Sequence, residues 1–280
     1  MSYSTEISRN NPGCFLFVID QSGSMVDSLP NGKSKASNVA DTINRFLQNL
    51  VIKCSKSEGV RDYFYVGMIG YGQDNKVITA FEGDLRGKEL VPISEIALHP
   101  LEIEEREQKV DDGNGGTVMQ RIKFPIWLNP IADGSTPMNE AFGLVNKIIT
   151  NWLSQNPNSF PPVIIHITDG ESTDGDPSSA MTSLMNQVSN DGNTLLFNLH
   201  LSSGGHPTPI LFPGNSEGLP DQYAKLLYQN SSPLTPNMLA VAKEEYGMGS
   251  LNNARGFVFN GDMTSIIAAL DIGTRPSNLR

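Results

Sequence analysis

The chain has 280 residues, 38% of them hydrophobic, and its 30 acidic and 20 basic residues give a net charge of −10. This is enough apolar material for a sizeable core, while the acidic balance argues against nucleic acid or anionic membrane as a main partner. No stretch is apolar for 18 residues, so no membrane span is predicted. Because residues 1–12 lack the apolar run of a signal peptide, we expect a cytoplasmic protein with two buried thiols, Cys14 and Cys54, rather than a disulfide.

The first predicted element is a strand over residues 14–19, which are apolar at every position. A run this short indicates a strand buried on both faces, as in the middle of a mainly parallel sheet. Asp20 ends the run, and the hydroxyls of Ser22 and Ser24 follow. Open α/β sheets bind ligands at the carboxyl ends of their strands, and oxygen atoms are the ligands that Mg²⁺ prefers. The sequence therefore predicts a metal site here.

Strands and helices alternate along the rest of the chain. This order predicts an α/β fold with a doubly wound, mainly parallel sheet and helices on both faces. The predicted helices cover 33–56, capped by Ser34 or Ser37, then 137–153, 177–188, 219–229, 236–246 and 263–270, and the predicted strands cover 61–72, 77–81, 163–168, 194–201 and 255–259.

Two segments interrupt the alternation. Residues 82–131 contain two strand-like arms around a turn rich in Asp, Asn and Gly, which predicts an inserted β-hairpin. Two interpretations of this hairpin remain open, a stiff edge ribbon that covers the sheet and an arm that docks a partner. Residues 202–220 are rich in Gly and Pro and are predicted to form a loop. We predict a single domain over 13–273, with insertions at 82–131 and 202–235 and tails at 1–12 and 274–280.

Three loops are expected to meet at one edge of this sheet. Asp20 and Asp169 each follow a predicted parallel strand, so both lie at the carboxyl edge. Thr136 precedes the predicted helix 137–153, whose N-terminus would face the same crevice. Of the histidines, His166 and His200 fall inside strands and are predicted to be core residues, while His206 lies in the 202–220 loop and would border this edge.

The motifs in these loops resemble those of von Willebrand factor type A (vWA) domains. The residues Asp-Gln-Ser-Gly-Ser-Met at 20–25 resemble the family's Asp-x-Ser-x-Ser motif. Residues 134–138, Gly-Ser-Thr-Pro-Met, resemble the bacterial version of its threonine loop, and residues 168–171, Thr-Asp-Gly-Glu, resemble its aspartate loop. The motifs occur in the family's order, and the resemblance covers roughly residues 13–272, including the Rossmann-like vWA sheet.

The resemblance implies a metal-ion-dependent adhesion site (MIDAS). By carry-over from the family, Ser22 and Ser24 would bind Mg²⁺ directly, and Thr136 would do so in the ligand-bound arrangement. Asp20 and Asp169 would act mostly through bound waters. Mn²⁺ and Ca²⁺ are the alternative ions. With both carboxylates behind waters, the direct ligands are neutral, so the ion stays electrophilic toward a partner's Asp or Glu.

The resemblance thus implies a non-enzymatic protein-binding module. Intracellular bacterial proteins similar to this one are often scaffolds, associated with AAA+ ATPases or with kinase and phosphatase partners in stress response or defence. Two alternatives remain. One is a Mg²⁺-dependent phosphotransferase or hydrolase that uses Asp20, and the other is a fragment of a surface adhesin.

Overall fold

The structure is a computed structural model that describes residues 3–29, 31–111, 116–201, 208–249 and 251–274. Its helices are α1 Lys35–Cys54, α2 Ile93–Leu98, α3 Met138–Gln155, α4 Ser178–Met185, α5 Gln222–Gln229, α6 Pro236–Tyr246 and α7 Met263–Thr274. Its strands are β1 Gly13–Asp20, β2 Ser55–Lys56, β3 Gly59–Val60, β4 Phe64–Tyr71, β5 Val77–Thr79, β6 Val91–Pro92, β7 Glu102–Asp111, β8 Thr117–Ile126, β9 Val163–Thr168, β10 Leu195–Leu201, β11 Ile210–Leu211 and β12 Phe257–Gly261.

Among the residues described, the main sheet has eight strands in the order β11-β12-β10-β9-β1-β4-β5, with β6 also paired to β4. The five longer strands, β1, β4, β9, β10 and β12, run parallel, and the short strands β5, β6 and β11 pair antiparallel. This arrangement confirms the predicted α/β fold with a mainly parallel sheet. Because β1 lies between β4 and β9, the loop after β1 emerges near the centre of the sheet edge.

Strand β1 is buried on both faces, as its unbroken apolar run predicts. Phe15, Phe17 and Ile19 pack into one core layer, which α1, α2, α6 and α7 cover, while Cys14, Leu16 and Val18 pack into the other, which α3, α4 and α5 cover. Successive side chains of a strand point to opposite faces, so one run supplies both layers. Asp20 therefore leaves the sheet from a strand that is held on both sides.

The β-hairpin forms as predicted but rests on α1 instead of covering the sheet. Strands β7 and β8 make a separate two-stranded sheet. Arg106 Nη1 donates to Asp41 Oδ1 of α1 at 2.8 Å, and its guanidinium lies 3.9 Å from the centre of the Phe124 ring. The buried Asn44 Oδ1 of α1 accepts a hydrogen bond from Leu128 N just after β8. An edge ribbon over the sheet is therefore the wrong interpretation, while the docking arm stays a prediction.

Other segments also depart from the predictions. Ile210–Leu211 pairs with β12 inside the predicted loop, and helix α7 continues to Thr274 although a tail was predicted from that residue. Residues 3–12 of the predicted tail pack against the domain, since Ile7 is buried in the core and the backbone amides of Ser4 and Thr5 donate to the Asp191 carboxylate. His206 lies outside the described residues.

Both cysteines agree with the sequence analysis. Cys14 and Cys54 are free thiols and are buried, and burial raises the pKa of the Cys54 thiol to about 12. Within the described ranges, the structure contains no helix with the length and apolar character needed to cross a membrane.

Candidate metal centre

Asp20 anchors the candidate site at the carboxyl end of β1. Its Oδ1 accepts a hydrogen bond from the backbone amide of Ser22 at 2.9 Å. Its Oδ2 accepts one from the Thr168 hydroxyl at the end of β9, at 2.8 Å. The side chain is buried. Because one oxygen is held by the loop after β1 and the other by the last residue of β9, Asp20 joins these two segments.

The two serines continue this cluster toward the surface. Ser24 Oγ donates to Asp169 Oδ1 at 2.7 Å, and the Ser22 and Ser24 hydroxyl oxygens are 3.1 Å apart. Ser22 is buried, whereas Ser24 lies at the start of a short 3-10 helix and is exposed. Four of the five predicted residues therefore form one group, joined by the Ser22 backbone amide and by side-chain hydrogen bonds, that opens to solvent at Ser24.

Thr136, the fifth predicted residue, lies on the adjoining loop. Gly23 N donates to Gly134 O at 3.1 Å, so this loop touches the Asp-x-Ser-x-Ser turn. Thr136 N donates to the Thr173 hydroxyl at 3.0 Å, and Thr173 N donates back to Thr136 O at 2.9 Å. Among the described residues, the hydrogen bonds of the cluster leave out the Thr136 hydroxyl. The three loops meet through backbone contacts as well as through side chains.

Two further residues hold the threonine loop in place. The Asp174 carboxylate accepts hydrogen bonds from the backbone amides of Asn139 at 2.9 Å and Glu140 at 2.8 Å, and so caps α3 from the loop after β9. Gly134 has a φ of 76°, and a Cβ atom there would lie 2.1 Å from Gly72 O. Only glycine fits this position, because a side chain would separate the two loops.

Lys35 is a residue of the site that the sequence analysis missed. Its ammonium lies 2.7 Å from Asp169 Oδ2, and the two side chains are only 1% and 0% exposed. A second carboxylate, Asp27 Oδ2, lies 3.4 Å away and is 60% exposed. Lys35 is the first residue of α1, after the capping Ser34. A cation is unfavourable at a helix N-terminus. A lysine directly after a predicted cap could therefore have indicated that an acidic residue elsewhere in the fold pairs with it.

The donor set fits a divalent ion that prefers oxygen. In the ranges that the structure describes, no three His, Cys, Asp or Glu side chains group as a metal site. This centre instead offers two carboxylates, Asp20 and Asp169, and the hydroxyls of Ser22 and Ser24, with Thr136 on the adjoining loop. Burial raises the pKa of Asp20 to about 6, against the lowering effect of its hydrogen bonds with Ser22. A buried carboxylate that is costly to ionise gains from a nearby cation, so the residues present suit Mg²⁺ or a similar ion.

The same geometry disfavours Asp20 as a phosphotransferase nucleophile. A nucleophile must present a free oxygen to its substrate. Asp20 is 1% exposed, and both of its oxygens already accept hydrogen bonds. Its position suits a residue that fixes the loops.

The two predicted core histidines are buried or stacked against the core. His166 Nε2 lies 2.7 Å from the Tyr71 hydroxyl and Nδ1 lies 2.8 Å from Asn198 Oδ1. The ring of His200 stacks on Phe259 with centroids 4.6 Å apart. Burial lowers the pKa of both histidines to about 4, so both rings are neutral at pH 7.

Comparisons with known proteins find similar structures but no matching family model or curated sequence. Similar solved structures include the pilus adhesin SpaC from Lactobacillus rhamnosus GG, at 12% identity and a TM-score of 0.49 over 94% of this chain and 30% of that chain. They also include the vWF domain of the type V pili tip protein Mfa5 from Porphyromonas gingivalis, at 13% identity and a TM-score of 0.32 over 58% and 39% of the two chains.

A third similar structure is the manganese-loaded Plasmodium vivax TRAP protein, at 16% identity and a TM-score of 0.38 over 88% of this chain and 75% of that chain. This chain thus spans 30% of SpaC and 39% of the Mfa5 structure. What the chain binds has to be argued from its own residues.

Proposed function

We propose that this chain is a metal-dependent protein-binding module that holds Mg²⁺ at the oxygen cluster and bridges through it to an Asp or Glu of a partner protein. The observation that carries this proposal is the convergence of Asp20, Ser22, Ser24 and Asp169 in one hydrogen-bonded group with an exposed end. Mn²⁺ and Ca²⁺ are alternative ions with the same preference for oxygen.

Each residue has a distinct role in this proposal. The hydroxyls of Ser22, Ser24 and Thr136 would hold the ion as neutral ligands, and the carboxylates of Asp20 and Asp169 would balance its charge. When bound, Mg²⁺ would supply an electrophilic centre for a carboxylate of the partner. Ser24 is the exposed member of the cluster, so the partner would approach from its side.

The proposed module is non-enzymatic, and Asp20 serves as an anchor in it. We place it in the cytoplasm as a scaffold of a bacterial complex for stress response or defence, with an AAA+ ATPase, a kinase or a phosphatase as the partner. A surface adhesin would use the same chemistry outside the cell. Fractionation of the native cells separates these two settings, because it reports where the protein accumulates.

The test is a pull-down from native lysate with Mg²⁺ or with EDTA, using the wild type and the Ser22→Ala, Ser24→Ala double variant. We expect partners that the wild type retains only with Mg²⁺ and that the double variant loses under both conditions. The control variant, Ser154→Ala with Ser183→Ala, removes two exposed hydroxyls from α3 and α4 and should bind like the wild type.

Two results would contradict the proposal. One is a wild-type protein whose melting temperature and partner set do not change between EDTA and millimolar Mg²⁺. The other is unfolding of the double variant in EDTA, since that would make the serines structural. Circular dichroism of each variant in EDTA distinguishes the second result from a loss of binding.

A further inference from the structure

Asp169 divides its two oxygens between a hydroxyl and an ammonium. Oδ1 accepts the hydrogen bond of Ser24 at 2.7 Å, and Oδ2 accepts that of Lys35 Nζ at 2.7 Å. The hydroxyl belongs to the proposed ligand set, whereas the ammonium lies on the buried side. A cation of the chain itself is therefore in direct contact with a carboxylate of the proposed metal site.

The position of Lys35 is unfavourable for a cation in two respects. Taking an ammonium out of water is unfavourable, and so is placing it at a helix N-terminus. Lys33, two residues earlier, is 56% exposed and reaches Asp41 at 2.7 Å across the surface. Since a buried ion pair is weak evidence for stability, the Lys35–Asp169 pair calls for a role beyond holding the fold together.

We infer that Lys35 is a built-in second cation of the metal site and sets its affinity for the divalent ion. This inference rests on the proposed function. Asp20 and Asp169 with the ammonium of Lys35 carry a formal charge of −1, and a divalent ion changes it to +1. Without Lys35 the same site would begin at −2 and end neutral.

Two consequences follow from this charge. Asp169 has a counter-charge when no ion is bound, so the fold does not depend on the ion. In the loaded state the positive charge that remains favours an anionic ligand, which agrees with a partner carboxylate. Lys35 thus lowers the affinity of the site for the ion and strengthens the attraction of the loaded site for a partner carboxylate. Asp27, the other carboxylate near Lys35, is exposed to water and changes this balance little.

The test compares Mn²⁺ affinities by isothermal titration calorimetry for the wild type, Lys35→Met and Lys33→Met. We expect Lys35→Met to bind Mn²⁺ about tenfold or more tightly than the wild type, because a like charge near the ion is gone. Lys33→Met removes the same formal charge from the exposed side chain and should stay within about twofold, since exposed charges are screened. Merely structural damage would instead weaken binding.

A second pair of variants covers the case in which Lys35→Met does not fold without the ion. Asp169→Asn removes one charge of the pair, and Lys35→Met with Asp169→Asn removes both, which leaves no unpaired buried charge. We expect the double variant to bind Mn²⁺ about tenfold more tightly than Asp169→Asn alone.

The outcomes separate the two ideas. If the wild type binds Mn²⁺ and the folded Lys35→Met variant binds it no more tightly, the inference about Lys35 is overturned and the ion site stands. If Asp169→Asn and the double variant bind Mn²⁺ with equal affinity, the inference about Lys35 is also overturned. If none of these proteins binds Mn²⁺ at millimolar concentration, the ion site itself is wrong.

Discussion

Two buried polar networks lie side by side in this molecule, and they differ in charge and closure. The site network contains two carboxylates and an ammonium, and it reaches the surface at Ser24. The second network joins Tyr71, His166 and Asn198 inside the layer that α3 covers. Its groups are neutral at pH 7, because burial holds the pKa of His166 at about 4 and that of Tyr71 well above its ordinary value.

The second network, here called the closed network, finds hydrogen-bond partners in the interior. The side-chain amide of Asn198 donates to Leu227 O at 3.1 Å, Asn230 O at 2.8 Å and Ser231 Oγ at 3.1 Å, while its oxygen faces His166. A buried neutral network with all its partners specifies packing. In the site network, the charges of Lys35 and Asp169 compensate each other only because the fold brings them together. Ser24, at the outer end of this network, is exposed to water. The comparison teaches why an ion is proposed at one network and not at the other, because charge combined with an opening to solvent, and not polarity alone, distinguishes them.

The largest expected effect comes from breaking the charge pair. Asp169→Ala leaves the buried Lys35 ammonium with the exposed Asp27 carboxylate at 3.4 Å, so we expect the free energy of unfolding in EDTA to fall by about 3 to 5 kcal/mol. Urea unfolding followed by circular dichroism measures this loss.

Asp27→Ala is the matched control, because it removes the other carboxylate that faces the same lysine. Asp27 is 60% exposed at 3.4 Å, so its loss should cost about 1 kcal/mol or less. Equal losses for Asp27→Ala and Asp169→Ala would contradict the view that burial makes the Lys35–Asp169 pair distinct.

A smaller effect is expected from protonating the closed network. The folded-state pKa of His166 is about 4, below its ordinary value of 6.5, so the unfolded chain binds more protons and stability falls as the pH drops from about 6.5 toward 4. One such group contributes about 2 to 3 kcal/mol over this range. The measurement is the difference in unfolding free energy between the wild type and His166→Gln across that pH range.

Taking this difference removes the other titrations. The pKa of Asp20 is raised to about 6, so its contribution to the free energy of unfolding falls as the pH rises, opposite to that of His166. Asp20 is present in both proteins, so its contribution cancels in the difference. His200, also lowered to about 4, is common to both as well. A difference that stays constant with pH would show that His166 is not held neutral by the fold.

The smallest effect on stability is expected at the open end of the site. Ser24→Ala removes hydrogen bonds that are partly exposed, so the unfolding free energy in EDTA should fall by about 1 kcal/mol or less. The rise in melting temperature that Mg²⁺ produces in the wild type should disappear, because that rise measures ion binding to the folded state. A variant that kept the full Mg²⁺ response would remove Ser24 from the ligand set.

Local patterns determined much of the fold. The unbroken apolar run of β1, the helical spacing in α1 and α3, and the turn in the hairpin each arise from neighbours along the chain. The structure confirms these elements, and β9 spans the predicted residues Val163–Thr168. The candidate side chains were also visible in the sequence, because parallel strands bring their carboxyl ends to one edge whatever lies between them. Their role as ligands stays a prediction that the ion titrations will test.

Tertiary structure decided which groups complete the site. Lys35 meets Asp169 across 134 positions of the chain, and Thr173 meets Thr136 across 37. The packing of the hairpin on α1 and the pairing of Ile210–Leu211 with β12 are likewise contacts between distant segments. The reason is physical. Periodicity and propensity describe interactions between near neighbours, whereas an ammonium becomes a buried counter-charge only when the fold closes around it.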